Sequence, residues 1–441
     1  MEAAPTLAEA TPTWARIAAL SFGGPAGQIA VMHRILVDEK KWVTESQFLH
    51  ALNYCMLLPG PEAQQLATYV GWLMHGVPGG LVAGGLFILP GALAILALSL
   101  AYVWFGQTTL MMGVLFGLKC AVIAIVFQAV LRIGKRVLKN RTMVTLAGAS
   151  FLAIYLFAIP FPLIIAAAAL IGFIGGRVAP ERFCIVKGHG DGEASSDIPS
   201  ITWSAMVRRA AIVLAIGLTL WAAPIAAARF FAGEESALYR AGIFFSKAAV
   251  VTFGGAYSVL AYIAQQAVEN YQWLTPREMV DGLGFAETTP GPLIMVVQFV
   301  GFMGVYRNPG GLSPLTAGLL GSALTVWVTF VPSFLWIFLG APFVQRLREQ
   351  KLLSAALSAI TAAVVGVILN LAIWFALHVL FQQTWIAKLG PAQLELPQLS
   401  TFEWRAGLVT LLAMTLVFIW NRGMLVTLAT CIVAGLGLIA M

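Results

Sequence analysis

The sequence has very little charge. Only 10% of its 441 residues are Asp, Glu, Lys or Arg, whereas 60% are hydrophobic and the mean hydropathy is +0.87. A soluble globular chain carries about 25% charged residues, so this chain cannot present most of its surface to water. Apolar runs of about 20 residues, the length that crosses a bilayer, recur along the whole sequence. The composition therefore predicts an all-α polytopic membrane protein.

Several sequence signals of catalysis and cofactor binding are also missing. The four cysteines and five histidines are dispersed without CxxC or paired spacing, so neither a disulfide framework nor a metal site is predicted. The sequence contains no GxxxxGK[ST] phosphate loop, and its basic residues lie in short loops between apolar runs. We therefore predict no cofactor, no metal, no catalytic residues and no nucleic-acid partner.

Thirteen apolar runs are predicted to span the membrane. The basic loop LRIGKRVLKNR at 131–141 and the polar stretch 178–207 are expected inside under the positive-inside rule, which also places the N-terminus inside. The acidic start, MEAAPTLAEATPTW, lacks the basic region of a signal peptide, and an interfacial helix carrying Trp42 is expected over 33–48. The predicted spans are 14–32, 47–74, 78–104, 110–131, 142–159, 160–177, 208–229, 239–262, 280–304, 310–341, 353–380, 404–420 and 422–440.

An internal repeat organises the sequence. An offset of 231 residues places 21–80 on 252–311 without a gap, and FGG, WxT, PGP and PGG coincide. Chance similarity between apolar helices would favour Leu, Ala and Val, so these matches indicate a duplication. Because seven spans separate equivalent elements, the halves are predicted to be inverted in the membrane, as in many secondary transporters. The predicted domains are a cytoplasmic tail (1–13), a first repeat (14–180), a linker with a connecting span (181–238) and a second repeat (239–441).

Each repeat carries a Pro-Gly-Pro motif inside a predicted span. Proline within a helix removes a hydrogen-bond donor and clashes with the preceding turn, so both motifs should break their helix. A new helix N-terminus is then expected near Glu62–Gln64 and near Leu293–Met295. Such a terminus has partial positive charge and free N–H groups, which suit an anion. The alternative is a kink that only shapes packing.

Each repeat also carries a Phe-Gly-Gly motif, preceded by Ser21 in the first repeat and Thr252 in the second. A glycine pair can break a helix and let backbone N–H groups approach a ligand without an intervening side chain. The alternative is close helix–helix packing, which small residues favour in membranes.

Ionisable residues within spans are costly, by about 2.5–3.5 kcal/mol each on insertion scales, and therefore indicate function. Arg16 and Lys247 are equivalent under the offset and are predicted to supply one cation each to a bound anion, so that neutralising either should weaken transport. The alternative is snorkelling towards the interface. Glu62 and Glu287 are not equivalent, and a carboxylate near an anion site is expected to take protons during the cycle or to act as a structural acceptor. The candidate substrate-binding residues are Arg16, Ser21, Phe22, Gly23, Gly24, Pro59, Gly60, Pro61, Glu62, Gln64, Lys247, Thr252, Phe253, Gly254, Gly255, Glu287, Pro290, Gly291 and Pro292.

The paired motifs resemble the chromate ion transporter family, in its long two-domain bacterial form. The resemblance rests on SFGGPAGQIA with LLPGPEAQQLATYVGW and on TFGGAYSVLA with TTPGPLIMVVQFVGF. It implies a bacterial inner-membrane exporter of chromate that gives chromate resistance and is driven by the membrane gradient.

Alternatives to chromate export remain open at this stage. Sulfate has nearly the shape and charge of chromate, so sulfate or another oxyanion is the alternative substrate. A passive anion channel and a membrane-embedded enzyme are further alternatives, although His33, His50 and His75 show no spacing typical of an enzyme site. The expected partners are the oxyanion, membrane lipid and a second copy in a homodimer.

Overall fold

The chain is described by a computed structural model over residues 5–183, 203–341 and 351–440. Most of the predicted polar linker, 184–202, lies outside the described residues. The chain forms two compact units, and each unit combines segments from both halves of the sequence. Unit 1 comprises 1–94, 186–256 and 290–354, and unit 2 comprises 95–185, 257–289 and 355–441.

The described residues are helical almost throughout. In the first half the helices are α1 (Leu7–Leu20), α2 (Gly24–His33), π1 (Arg34–Glu39), α3 (Glu45–Cys55), α4 (Glu62–Phe105), α5 (Thr109–Val137), α6 (Arg141–Phe157), α7 (Phe161–Val178) and α8 (Pro180–Phe183). From residue 203 onwards they are α9 (Trp203–Ala232), α10 (Ala237–Val251), α11 (Ala256–Ala264), π2 (Gln265–Asn270), α12 (Pro276–Thr288), a 3-10 turn (Leu293–Met295), α13 (Val296–Arg307), α14 (Pro314–Gly340), α15 (Lys351–Leu380), a 3-10 turn (Leu399–Thr401), α16 (Trp404–Met414), π3 (Thr415–Ile419) and α17 (Met424–Ala440).

Six of the described helices are long and apolar enough to cross a membrane, and shorter apolar helices accompany them. Large apolar side chains such as Leu93, Leu163 and Phe230 lie exposed on these helices, as expected for surfaces that face lipid. This confirms the prediction of an all-α polytopic membrane protein. The six long segments lie in α4, α5, α7, α9, α14 and α15.

Helix α1 begins earlier than the sequence analysis expected. The first span was predicted to begin at residue 14, and the helix that contains its start begins at Leu7. Thr6 accepts from the Glu9 backbone N–H, and the Glu9 side chain accepts from the Thr6 backbone N–H. This capping box stabilises a helix start, and the helix continues through Pro12 to Leu20.

The duplication is visible in local structure. The π-helices Arg34–Glu39 and Gln265–Asn270 are separated by the 231-residue offset. So are the left-handed residues Lys41 and Gln272, with φ of 52° and 53°, and the capping boxes at Thr44 and Thr275. The predicted interfacial helix over 33–48 is therefore interrupted, because the chain turns at Lys41 and a new helix begins after its Thr44 cap.

In unit 1 the chain reverses at the first Phe-Gly-Gly motif. A straight helix would separate Arg16 from Glu39 by about 35 Å, at 1.5 Å per residue. Instead the Arg16 Nη1 atom lies 2.8 Å from Glu39 Oε2, and Trp14 shares a buried apolar cluster with Leu36. The segment that was predicted to be a single span over 14–32 is thus two half-helices that fold back on each other.

The chain also reverses at the first Pro-Gly-Pro motif. The rings of Tyr54 and Tyr69, on opposite sides of the motif, have centroids 4.9 Å apart. The His75 Nε2 atom lies 2.6 Å from the Pro5 carbonyl oxygen, so the first segment of α4 ends beside the start of α1. Helix α4 then bends at His75 and Gly76, close to the predicted boundary between spans 47–74 and 78–104.

Unit 2 contains a short β-hairpin that the sequence analysis did not predict. Strands β1 (Thr384–Leu389) and β2 (Ala392–Pro397) pair antiparallel, with Leu389 opposite Ala392 and Gly390 in the turn at φ 63°. A cavity of about 280 Å³ lies between the hairpin and the helices, and its lining includes Ala158, Glu269, Pro276 and Glu395. The connection between π2 and α12 therefore lies at the same end of unit 2 as the turn after α6.

The inverted topology gives a labelling prediction. Single cysteines in a cysteine-free background at Lys40 and Gln272 are expected to react from opposite sides of the membrane, because their segments are equivalent in inverted repeats. A cysteine at Ala158 is the matched reference and should react from the same side as Gln272. The measurement is modification by an impermeant maleimide in intact cells and in inverted vesicles. Labelling of Lys40 and Gln272 from one side would contradict the inversion.

Candidate functional site: four helix breaks

Helices start at each of the four predicted breaks. After the Pro-Gly-Pro motifs, α4 begins at Glu62 and a 3-10 turn that continues as α13 begins at Leu293. After the Phe-Gly-Gly motifs, α2 begins at Gly24 and α11 at Ala256. The predicted breaks are confirmed. The first-turn N–H groups of a helix have no partner within their own helix, so each start offers donors.

Two crossed hydrogen bonds bring the breaks of the two repeats together within unit 1. The Gly60 N–H donates to the Thr252 carbonyl at 2.8 Å, and the Gly291 N–H donates to the Ser21 carbonyl at 2.9 Å. The two bonds are equivalent under the 231-residue offset. Each Pro-Gly-Pro motif is therefore bonded to the end of the half-helix that precedes the Phe-Gly-Gly motif of the other repeat.

The hydroxyl groups of Ser21 and Thr252 each donate a hydrogen bond to a backbone carbonyl of their own helix. Ser21 Oγ donates to the Ile17 carbonyl at 2.7 Å, and Thr252 Oγ1 donates to the Ala248 carbonyl at 2.6 Å. Both residues are fully buried. These bonds satisfy the polar groups that a buried helix end would otherwise leave unpaired, and the carbonyls of the same two residues make the crossed bonds.

The backbone at Pro59-Gly60-Pro61 and Pro290-Gly291-Pro292 requires glycine. The φ angles of Gly60 and Gly291 are 130° and 96°, which residues with a Cβ rarely adopt. A Cβ on Gly60 would also lie 2.6 Å from Gln65 Nε2 and 2.8 Å from Ser333 Oγ. Gln65 Nε2 donates to the Pro59 carbonyl at 2.8 Å, so the side chain that crowds Gly60 also holds the turn in place.

The Phe-Gly-Gly motifs are open where the Pro-Gly-Pro motifs are crowded. Gly23 and Gly24 have φ of 89° and 70°, and a Cβ on either would meet nothing within 4 Å. Close packing therefore does not explain these two glycines. A Cβ on Gly255 would have one neighbour, Glu62 Oε1 at 4.0 Å, so the carboxylate of one repeat faces the glycine pair of the other. Phe22, Phe253 and Gly254 are partly buried at the same turns.

Three buried glutamines surround the breaks. Gln28 Nε2 donates to the Gly291 carbonyl at 2.6 Å, and Gln64 Nε2 donates to Thr68 Oγ1 at 2.9 Å. Among the described residues, the Oε1 atoms of Gln28, Gln64 and Gln65 have no hydrogen-bond partner. The sequence analysis missed Gln28. The sequence feature that could have identified Gln28 is a single carboxamide in an otherwise apolar stretch. The equivalent residue of the second repeat is the apolar Val259.

Arg16 and Lys247, which were predicted to lie beside a bound anion, are both at the surface of the protein. Arg16 is half exposed and forms its ion pair with Glu39 at 2.8 Å. Lys247 is exposed on α10. The structure therefore does not bring either cation to the breaks, and their role as anion ligands stays a prediction.

Unit 2 holds two buried carboxylates on one helix, α12. Asp281 lies 3.3 Å from Lys119 Nζ and accepts from the Tyr102 hydroxyl at 3.2 Å. Glu287 accepts from the Tyr257 hydroxyl at 2.6 Å. Asp281 lies at the edge of predicted span 280–304, and the sequence analysis did not single it out.

The sequence matches the family model described as chromate transporter over residues 8–173 and 239–436. The chain belongs to the chromate transporter family. The two matched regions cover most of the two predicted repeats, and both contain a Phe-Gly-Gly and a Pro-Gly-Pro motif.

Curated members of the chromate transporter family align along most of the chain. A chromate transport protein of Cupriavidus metallidurans is 29% identical over 82% of this chain and 81% of its own length. One of Pseudomonas aeruginosa is 32% identical over 79% of this chain and 76% of its own. A probable chromate transport protein of Synechococcus elongatus is 27% identical, with coverages of 82% and 83%. No solved structure matches the chain.

Proposed function

We propose that the protein is a secondary active transporter that exports chromate across the bacterial inner membrane and thereby gives chromate resistance. Family membership supports a transporter, and the names of two relatives support chromate as the substrate. The observation that carries the proposal is the pair of crossed hydrogen bonds, Gly60 to Thr252 and Gly291 to Ser21. These bonds hold the breaks of both repeats together in unit 1, where a small anion can meet several helix starts.

A tetrahedral dianion suits this arrangement for electrostatic reasons. Each helix start carries about half a positive charge and free N–H donors, so several starts can offset the cost of removing a dianion from water. The open space beside Gly23 and Gly24 lets an oxygen atom reach the backbone directly. We therefore propose a site built from the main chain of the breaks, with Glu62 at its edge.

Export is favourable for an anion when the membrane potential is negative inside. The potential contributes about 2.3 kcal/mol per charge per 100 mV, and this contribution doubles for a dianion. Binding at broken helices between repeats is a recurrent arrangement in secondary transporters, which favours a transporter over a passive channel.

The test is uptake of labelled chromate into inverted membrane vesicles, in which export appears as accumulation. Energised vesicles containing the protein should accumulate chromate beyond the concentration ratio that the membrane potential alone maintains for a dianion, and vesicles without the protein should not accumulate it. Inhibition by chromate but weak inhibition by sulfate would identify chromate as the substrate. Accumulation that stops at the electrochemical equilibrium of a dianion under the imposed potential would indicate a passive pathway, and stronger inhibition by sulfate would assign the other oxyanion.

The exposed positions of the two cations give a revised prediction. Arg16→Gln and Lys247→Gln are each expected to keep at least about half of the wild-type flux. The first removes a surface ion pair, which contributes little, and the second removes an exposed charge from α10. The measurement is initial chromate flux normalised to the amount of protein in the membrane. A large loss of flux in both variants, with normal insertion, would restore the cation pair as ligands of the substrate.

A further inference from the structure

The carboxylate of Glu287 is buried and forms no ion pair with any of the described residues. The residue is 1% exposed. Its Oε1 atom accepts from the Tyr257 hydroxyl at 2.6 Å, while Oε2 has no hydrogen-bond partner among the described residues. Thr288 and Thr289, which follow it, donate to the carbonyls of Phe285 and Ala286 instead.

Asp281, on the same helix, is a buried carboxylate whose charge is offset by a nearby cation. Asp281 is 2% exposed, but it lies 3.3 Å from the Lys119 ammonium and also accepts from Tyr102. An ammonium and a carboxylate can offset much of each other's burial cost in such a pair. Lys119 therefore forms its ion pair with Asp281 and does not offset the burial cost of Glu287.

Within the described ranges, two side chains act on the Glu287 carboxylate. Helix α11 contributes the neutral Tyr257, and α5, which packs against α12, contributes Arg132, which acts on Glu287 from beyond ion-pair distance. An isolated buried carboxylate costs several kcal/mol when charged, so a proton on Oε2 is the less costly state in this conformation. Ionisable residues in such positions are typical of proton pathways in transporters.

We propose that Glu287 carries the proton that couples chromate export to the proton gradient, an inference that rests on the proposed function. Oε2 forms an O–H bond with a proton taken from water on the outer side. The bond breaks after the conformational change, and the proton leaves to water on the inner side as chromate moves outward. Glu62 is partly exposed and faces Gly255, which assigns it to the substrate region rather than to this role. Tyr257 positions the carboxylate.

Glu287→Gln tests the proposal, because a carboxamide keeps the acceptor for Tyr257 but cannot titrate. The experiment uses inverted vesicles clamped at zero potential with valinomycin and potassium, with the interior made acidic. For one proton per chromate, wild-type accumulation should rise about tenfold per unit of pH gradient, since a factor of ten corresponds to about 1.4 kcal/mol. Glu287→Gln should lose this response. It should still exchange internal for external labelled chromate at equal pH, which shows that it is folded.

Two further variants keep the result interpretable. Glu278→Gln makes the same chemical change on α12 at a partly exposed position and preserves its capping box with Thr275, so it should respond like wild type. Glu287→Asp keeps a titratable group and should retain part of the response.

A full pH response in Glu287→Gln overturns the proposal. A wild-type protein that transports chromate without any response to the pH gradient also overturns it, and leaves the proposed function intact. Absence of both accumulation and exchange in the wild type overturns the function and the coupling together.

Discussion

Replacing Gly60 with alanine is expected to abolish chromate transport. Its φ of 130° is strained for any residue with a Cβ, at a cost of about 1–3 kcal/mol. The added methyl would also displace the Gln65 amide, which holds the Pro59 carbonyl, and the Ser333 hydroxyl. Relaxing either contact moves the Gly60 N–H away from the Thr252 carbonyl. The measurement is vesicle flux normalised to inserted protein, with thermal stability measured in detergent.

The control for Gly60→Ala is Gly85→Ala. Gly85 lies in α4, has an ordinary helical backbone, and has open space where a Cβ would be. Alanine is a better helix former than glycine by about 1 kcal/mol, so Gly85→Ala should transport normally with equal or higher stability. Gly291→Ala should be less damaging to stability than Gly60→Ala, since the nearest atoms to its added Cβ lie 3.3 Å away. Normal flux in Gly60→Ala would show that the crossed bond is dispensable.

Replacing Gly23 with asparagine is expected to lower chromate flux by tenfold or more without unfolding the protein. Gly23 is left-handed, with φ of 89° and ψ of 25°, and asparagine is one of the few residues that adopt this region readily. Its side chain would occupy the open space through which an oxyanion is proposed to reach the backbone. The initial rate of uptake and the half-saturating chromate concentration both report the effect.

The matched control for Gly23→Asn is Gly310→Asn. Gly310 is also left-handed, with φ of 60° and nothing within 4 Å of its Cβ position, but it lies in the connection after α13. It should therefore accept asparagine with normal flux. Equal flux in both variants would mean that the space beside Gly23 does not hold the substrate.

The sequence could predict where the helices break but not how the chain continues after each break. Proline and paired glycines specify a break through local chemistry, and helices do start at Glu62 and Leu293 as expected. Hydropathy, however, is the same for a helix that crosses the membrane and for two half-helices that turn back. The reversal at Phe22-Gly23-Gly24 becomes visible only through long-range contacts such as Arg16 with Glu39.

The same limit applies to individual side chains around the site. Arg16 was placed near a bound anion because it precedes Gly23 by seven residues, but the direction of its side chain depends on packing that a single sequence does not contain. Gln28 and Asp281 were missed because one polar residue in an apolar helix gives no periodic signal. Their partners, the Gly291 carbonyl and Lys119, are distant in sequence. The hairpin from β1 to β2 lies in the connection between predicted spans 353–380 and 404–420, for which the sequence analysis made no prediction.

The crossed bonds also bear on how such a chain could have arisen. Gly60 finds its acceptor in the second repeat and Gly291 finds its acceptor in the first. An ancestral chain with a single repeat would have left its own glycine N–H and its own serine or threonine carbonyl unpaired at buried positions, which is costly for a backbone group. Two copies placed head to tail across the membrane would satisfy both groups at once. Gene fusion would then have joined in one chain two copies that already needed each other to pair these backbone groups.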